Sequence, residues 1–178
     1  MNEKSVYIID ASSLIELERF VTKDFFSPLF QSLGSLISSE SLISHEEVLK
    51  ELKRKDGSEG EIYIWANKQK DFFKKIDERH IDKAREILQK FGQLIDPDKR
   101  NNADPFVIAL ALIKEKQQKL IPPNPIKYTI ITEEVPSNNG GRPKIPDICK
   151  FYNIEHLNLN EFLKKELELQ IKIKNNVK

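Results

Sequence analysis

The sequence predicts an α/β fold built on a parallel sheet, and three features carry that prediction. Short β-rich apolar runs (SVYII at 5–9, YTIIT at 128–132) are each followed by a carboxylate or a helix start. Helical apolar periodicity fills the stretches between such runs. The segment DPFVIALALI (104–113) is apolar on every side, as expected of a helix in the middle of a molecule rather than on its surface. Strands that alternate with helices pair in parallel, and ligands then bind beyond the carboxyl ends of the strands.

Residues 5–9 form the first strand. A helix follows from about Ala11 to Val21 with Leu14, Ile15, Leu17 and Phe20 on one stripe. A second is expected from about Asp24 to Ile37, with Pro28 in its first turn, where a missing N–H costs little. Leu42-Ile43 reads as a short strand, and Ser44 as the N-cap of a helix whose first turn carries Glu46 and Glu47. DGSEG (56–60) breaks the chain. Two charged helices are predicted next, roughly 61–76 and 78–92, forming a helical insertion over about 57–93. Pro122, Pro123 and Pro125 make a stiff connector into the strand 127–132, and 136–144 is a polar loop. A helix from Pro146 to Tyr152, a strand at 154–157 and a helix from about Asn160 complete a single domain over 1–165. The tail 166–178 reads either as an edge strand or as the helix end.

The bulk properties exclude several classes. The formal net charge of +1 rules out a strongly basic nucleic-acid coat, so contact with nucleic acid would need a local patch. One cysteine, Cys149, allows no disulfide within the chain and favours a reducing compartment. No apolar run is long enough for a signal segment or a bilayer span, which makes a cytoplasmic protein without membrane contact the expectation.

The acids carry the chemistry. Asp10 directly follows the first strand; a helix N-cap is its ordinary job, although Ser12 and Ser13 are equally able to cap. Asp104 before Pro105 is a standard helix start, yet that helix is apolar all round. Its carboxylate must therefore face the interior or a cleft, which costs several kcal/mol unless it is paired or coordinated, against about 1 kcal/mol recovered from the helix dipole. In SHEEVLKEL, Val48, Leu49 and Leu52 define the buried face at roughly 100° per residue. Glu51 and Glu46 then fall at its edges and Glu47 further out, so Glu51 ranks first. Glu133 and Glu134 end a strand and point opposite ways, so one of them reaches a site there, with Thr132 able to support it. Asp147 reads as a dipole-stabilising acid in a supporting position. Carboxylates brought into one site need a countercharge, and an all-oxygen set suits Mg²⁺ or Mn²⁺. His45, His80 and His156 share no zinc spacing with each other or with Cys149. Arg142 and Lys144 are the best-placed phosphate contacts; Lys53, Arg54 and Lys55 rank below them.

Taken in order, IIDASSLI, VLKEL, ADPFVIALA and IITEE resemble the motifs of PIN-domain nucleases over about Val6 to Leu163, with TEE and IPDIC segments similar to those of a prokaryotic, VapC-like subfamily. The resemblance implies a three-layer α/β/α fold with additional helices and a ligand set of Asp10, Glu51, Asp104 and Glu134, supported by Ser12 and Thr132. It further implies an Mg²⁺- or Mn²⁺-dependent endoribonuclease acting as the toxin of a toxin–antitoxin module, with single-stranded or looped RNA as substrate and an antitoxin protein as partner. The chain departs from the family pattern at Glu134, one methylene longer than the usual aspartate, with Glu133 beside it. A non-catalytic PIN-like module that binds RNA or protein is therefore the alternative. A haloacid-dehalogenase-type phosphotransferase is disfavoured, because Ser12 stands where that chemistry wants a second aspartate. The apolar positions of the first two helices allow a homodimer face.

Overall fold

The structure, a computed structural model, describes residues 4–20, 27–54, 56–96, 98, 101–118, 126–138 and 141–167. Five strands form one sheet: β1 (Lys4–Ile9), β2 (Leu42–His45), β3 (Phe73–Lys74), β4 (Ile126–Ile131) and β5 (Glu155–Leu157), in spatial order β3-β2-β1-β4-β5 and all parallel. β1 and β4 pair along their whole length, from Lys4 opposite Ile126 to Ile9 opposite Ile131. Val6 to Ile9 and Tyr128 to Ile131 are buried without interruption. That is the pattern of strands covered on both faces, and it explains their continuous apolar runs.

The helices are α1 (Ala11–Phe20), α2 (Ser27–Ser38), α3 (Glu46–Glu51), α4 (Glu61–Asn67), α5 (Glu78–Lys90), α6 (Asp104–Gln118), α7 (Ile145–Tyr152) and α8 (Leu159–Leu167). α1 packs with α3, α4 and α8, while α6 packs with α5 and α7 and lies against β1, β2 and β4. The architecture is thus three-layer α/β/α, as the alternation of strands and helices predicts. α6 occupies the centre expected of it, with Asp104, Pro105 and Val107 to Ala111 all buried. Cys149 is a core residue whose thiol burial pushes up to about 12. Among the described residues no helix is long and apolar enough to cross a membrane.

The structure corrects two local readings. The helix expected over 61–76 ends at Asn67, and Phe73-Lys74 form the edge strand β3. Ile62, Trp65, Phe72 and Phe73 do fall at helical spacing, but the intervening NKQKD offers nothing to bury, and Asp71 adopts a left-handed φ of 60° that ends helical continuity. Phe72 instead accepts the Ser44 N–H and buries its ring completely, so the stretch predicted as a helical insertion also supplies a strand to the sheet. Ser44, expected to cap α3, belongs to β2, and its hydroxyl donates to the Ile9 carbonyl at 2.7 Å. The cap is His45, whose Nδ1 accepts from Glu47 N at 3.2 Å. The proline connector at 122–125, the start of the second predicted helix at 24–26 and the tail from 168 onward lie outside the described residues.

Candidate active site

In an all-parallel sheet the carboxyl ends of the strands share one edge. Chain order makes one point on that edge special. From β1 the connection runs to β2 on one side, while β4 lies on the other, so a crevice opens between β1 and β4 where the helices diverge. Asp10 follows β1 and Thr132 follows β4 at this point, joined by the Asp10 N–H donating to the Ile131 carbonyl at 2.9 Å.

Asp10 is 3% exposed. Its Oδ2 accepts from the Ser12 hydroxyl at 2.7 Å, the Ser12 N–H at 3.3 Å and the Thr132 hydroxyl at 3.2 Å. Its Oδ1 is buried and has no hydrogen-bond partner. Burial lifts the carboxyl above the usual aspartate range and the Glu134 charge adds to that lift, against the hydrogen bonds from Ser12 and the Ala11 backbone. A buried carboxylate oxygen without a donor costs a few kcal/mol unless the group is protonated or meets a cation.

The other acids reach the same edge by different routes. Asp104 opens α6 and is 5% exposed. Because α6 leads into β4, its N-terminus and the positive end of its dipole lie at the carboxyl edge. Glu51, at the end of α3, accepts from Ala103 N at 2.7 Å, which places its carboxylate beside the start of α6. Glu134 Oε2 accepts from Ile145 N at 3.0 Å, anchoring α7, and its Oε1 lies 3.6 Å from Lys144 Nζ. Glu133 turns the other way and accepts from Leu159 N at 2.6 Å at the start of α8. Of the adjacent pair, Glu134 is therefore the one whose charge acts on Asp10.

The remaining predicted residues are tied into the frame. Glu46 accepts from Ile76 N at 2.9 Å, towards β3 and α5. Glu47 pairs with Lys50 and is less exposed than its predicted outward position implies, with 15% of its side chain accessible. Asp147 accepts from Lys144 N at 2.9 Å and Ser137 N at 3.0 Å; burial opposes its ionisation, but these bonds outweigh it and hold the carboxyl below its ordinary range. Arg142, expected in a free loop, is bridged to Asp96 at 2.8 Å. Sequence spacing gave no sign of a buried imidazole pair: His45 Nε2 lies 3.3 Å from His80 Nδ1, and the His45 ring stacks on Phe106 in the first turn of α6.

Among the described residues, no three histidine, cysteine, aspartate or glutamate side chains are gathered closely enough to hold a metal ion between them. The donor set is all carboxylate oxygen, the chemistry of a hard cation rather than of zinc, but its members are not gathered at one point. Asp10 Oδ1 has no donor, and Asp104, Glu134 and Glu51 are the acids that would have to move towards it to share an ion. The Glu51 bond to Ala103 gives a stability test. Glu51→Ala leaves a buried N–H unsatisfied and should cost about 1–3 kcal/mol, whereas Glu51→Gln keeps an acceptor and should stay within about 0.5 kcal/mol of the parent in urea unfolding. Equal losses in the two variants would mean that the hydrogen bond contributes nothing.

A family model described as "Domain of unknown function (DUF4411)" matches residues 7–169. No curated protein and no solved structure matches the chain.

Proposed function

The chain belongs to the DUF4411 family, and from its acidic edge we propose that it is an Mg²⁺- or Mn²⁺-dependent nuclease of PIN type. The reading extends to an endoribonuclease that serves as the toxin of a toxin–antitoxin module, with an antitoxin protein as partner. One observation carries it: a buried aspartate at the topological switch point with an oxygen that no donor satisfies.

Ser12 and Thr132 hold Asp10 through Oδ2 and leave the buried Oδ1 without a protein donor. Preorganisation of this kind keeps a charged group from having to reorient during reaction. The N-terminal dipole of α6 favours a negative charge at Asp104, and Glu51 fixes the approach of residue 103. Lys144, beside Glu134, offers a cation at the rim where a phosphate would enter. A bound divalent ion would lower the pKa of a water and stabilise the leaving oxygen of a phosphodiester.

A non-catalytic binding module is the second reading. It is favoured by the use of Glu51 and Glu134 as acceptors for backbone N–H groups. Labelled RNA incubated with Mg²⁺ or Mn²⁺ separates the two. Wild type should cleave, and Asp104→Asn should lose about a hundredfold or more of the rate. Equal cleavage by both proteins would remove the enzyme reading, and absence of cleavage with either ion would favour the binding module.

A further inference from the structure

Phe151 is 56% exposed, the one exposed aromatic ring among the described residues. It is not a stray apolar side chain. Phe91 meets it at a centroid distance of 5.3 Å and 79°, Tyr152 at 5.0 Å and 84°, and the Lys90 ammonium lies 4.5 Å from its centroid. Both buttressing rings are half-buried, so Phe151 stands on a fixed aromatic base. Lys90, whose ammonium lies over the Phe151 ring, and Lys150, its neighbour in sequence, are both exposed, and neither is held in an ion pair among the described residues.

Two stretches of chain connect the cluster to residues at the acidic edge. Along α7, Phe151 lies six residues beyond Ile145, whose N–H donates to Glu134, a rise of roughly 9 Å. On the other side, Phe91 leads through the short 3₁₀ turn Gly92–Leu94 to Asp96, which bridges to Arg142. Single-stranded nucleic acid is held elsewhere by this combination of an aromatic face for a base and nearby cations for the backbone. Duplexes offer no exposed base face to such a ring.

We propose that Phe151, supported by Phe91 and Tyr152, with Lys90 over its ring and Lys150 next to it in sequence, is a stacking platform for a base of an unpaired nucleic-acid strand whose backbone continues to the acidic edge. The assignment rests on the nuclease reading for its direction, and it adds a place outside the acidic edge where an unpaired strand is held. A second copy of the chain is the weaker occupant, because a two-fold contact would set the lysines of one patch against those of the other.

Fluorescence anisotropy in EDTA, with a labelled unpaired RNA of roughly twelve nucleotides, the same DNA strand and a blunt duplex, tests the platform without cleavage. Phe151→Ala should weaken binding of the unpaired strand about tenfold, Phe151→Trp should retain it, and the duplex should bind no better to wild type than to Phe151→Ala. Unpaired-strand affinity equal in wild type and Phe151→Ala would overturn the proposal, as would absence of binding by wild type. Loss of a dimer in Phe151→Ala with unchanged affinity for RNA would assign the patch to a second copy and overturn it too. The Asp104→Asn cleavage comparison is independent: cleavage with a silent Phe151→Ala sinks only the platform, and Phe151-dependent binding without cleavage sinks only the enzyme.

Discussion

Asp10→Asn is expected to abolish metal-dependent cleavage while leaving the metal-free fold at least as stable as wild type at neutral pH. The two effects share a cause. Asp10 is buried, its Oδ1 has no donor, and its carboxyl is held above the ordinary range chiefly by burial. A group whose folded pKa is raised destabilises the fold progressively as pH climbs from its unfolded value of 3.8 through the folded one, because the folded state binds the proton more tightly. At neutral pH the metal-free protein therefore carries the cost of a buried charge. Asparagine removes that charge and still accepts through its carbonyl oxygen from Ser12 and Thr132. For wild type, Mn²⁺ should raise the thermal midpoint in proportion to ln(1 + [Mn²⁺]/Kd), a gain of about 2.7 kcal/mol at a hundred times Kd. Asp10→Asn should lose most of that response and at least a hundredfold in cleavage rate. A variant that melts well below wild type in EDTA would show that the aspartate is a structural cap whose charge the fold needs. A Mn²⁺ response that survives the substitution would move the ion elsewhere.

Acid should weaken the fold between about pH 6.5 and pH 4 through the buried histidine pair. Burial, reinforced by His80 and Lys50, pushes the His45 imidazole down to about 4, and burial lowers His80 as well. The network sets the tautomers. His45 Nδ1 accepts from Glu47 N, so its proton sits on Nε2 and is donated to His80 Nδ1. His80, accepting at Nδ1, then carries its own proton on Nε2. Protonation of His45 would place a second N–H against the Glu47 N–H and remove the cap of α3. Unfolding frees an imidazole of ordinary pKa near 6.5, so the unfolded state binds the extra proton throughout this window. Stability is complete above about pH 6.5, falls as the pH drops towards 4, and is not lost further through this group below that. For His45 alone the loss is about 3 kcal/mol. Asp10 acts with the opposite sign over part of the window, so the clean comparison is made in the Asp10→Asn background. There, His45→Asn, which retains a capping side chain, should flatten the pH dependence of the urea midpoint. The Asp77 carboxyl, which its bond to Arg79 helps bring down to about 2 against burial, acts only below about pH 4. An unchanged slope in His45→Asn would mean that the pair is wetter than its burial implies.

The parts of the molecule that were legible in the sequence are those encoded locally. β1 and β4 announce themselves because strands covered on both faces are apolar without interruption. α6 does so because a helix without a polar face has to be central. Helical angles put Glu51 and Glu46 at the edges of the α3 buried face, and only the structure sets Glu51 beside residue 103 and Glu46 against Ile76. β3 was not legible. A strand of two residues has no periodicity, and its phenylalanines fit a helical stripe as well as a sheet edge. His45 as a cap was missed because imidazole is an uncommon N-cap beside an available serine. Arg142 looked free because nothing near it in sequence betrays Asp96, 46 residues earlier.

By itself, the order of apolar runs and acids determined that strands and helices alternate, that they build a parallel sheet, that Asp10 and the Glu133-Glu134 pair follow strand ends and that Asp104 opens a helix. Periodicity and capping act over a few residues, so the chain alone suffices for them. Only the tertiary structure decided which oxygen of Asp10 is left without a donor, which of Glu133 and Glu134 acts on it, and that two histidines 35 residues apart share a proton-bonded contact. Those outcomes depend on which surfaces meet when the layers close, and on how much water that closure removes from each polar atom.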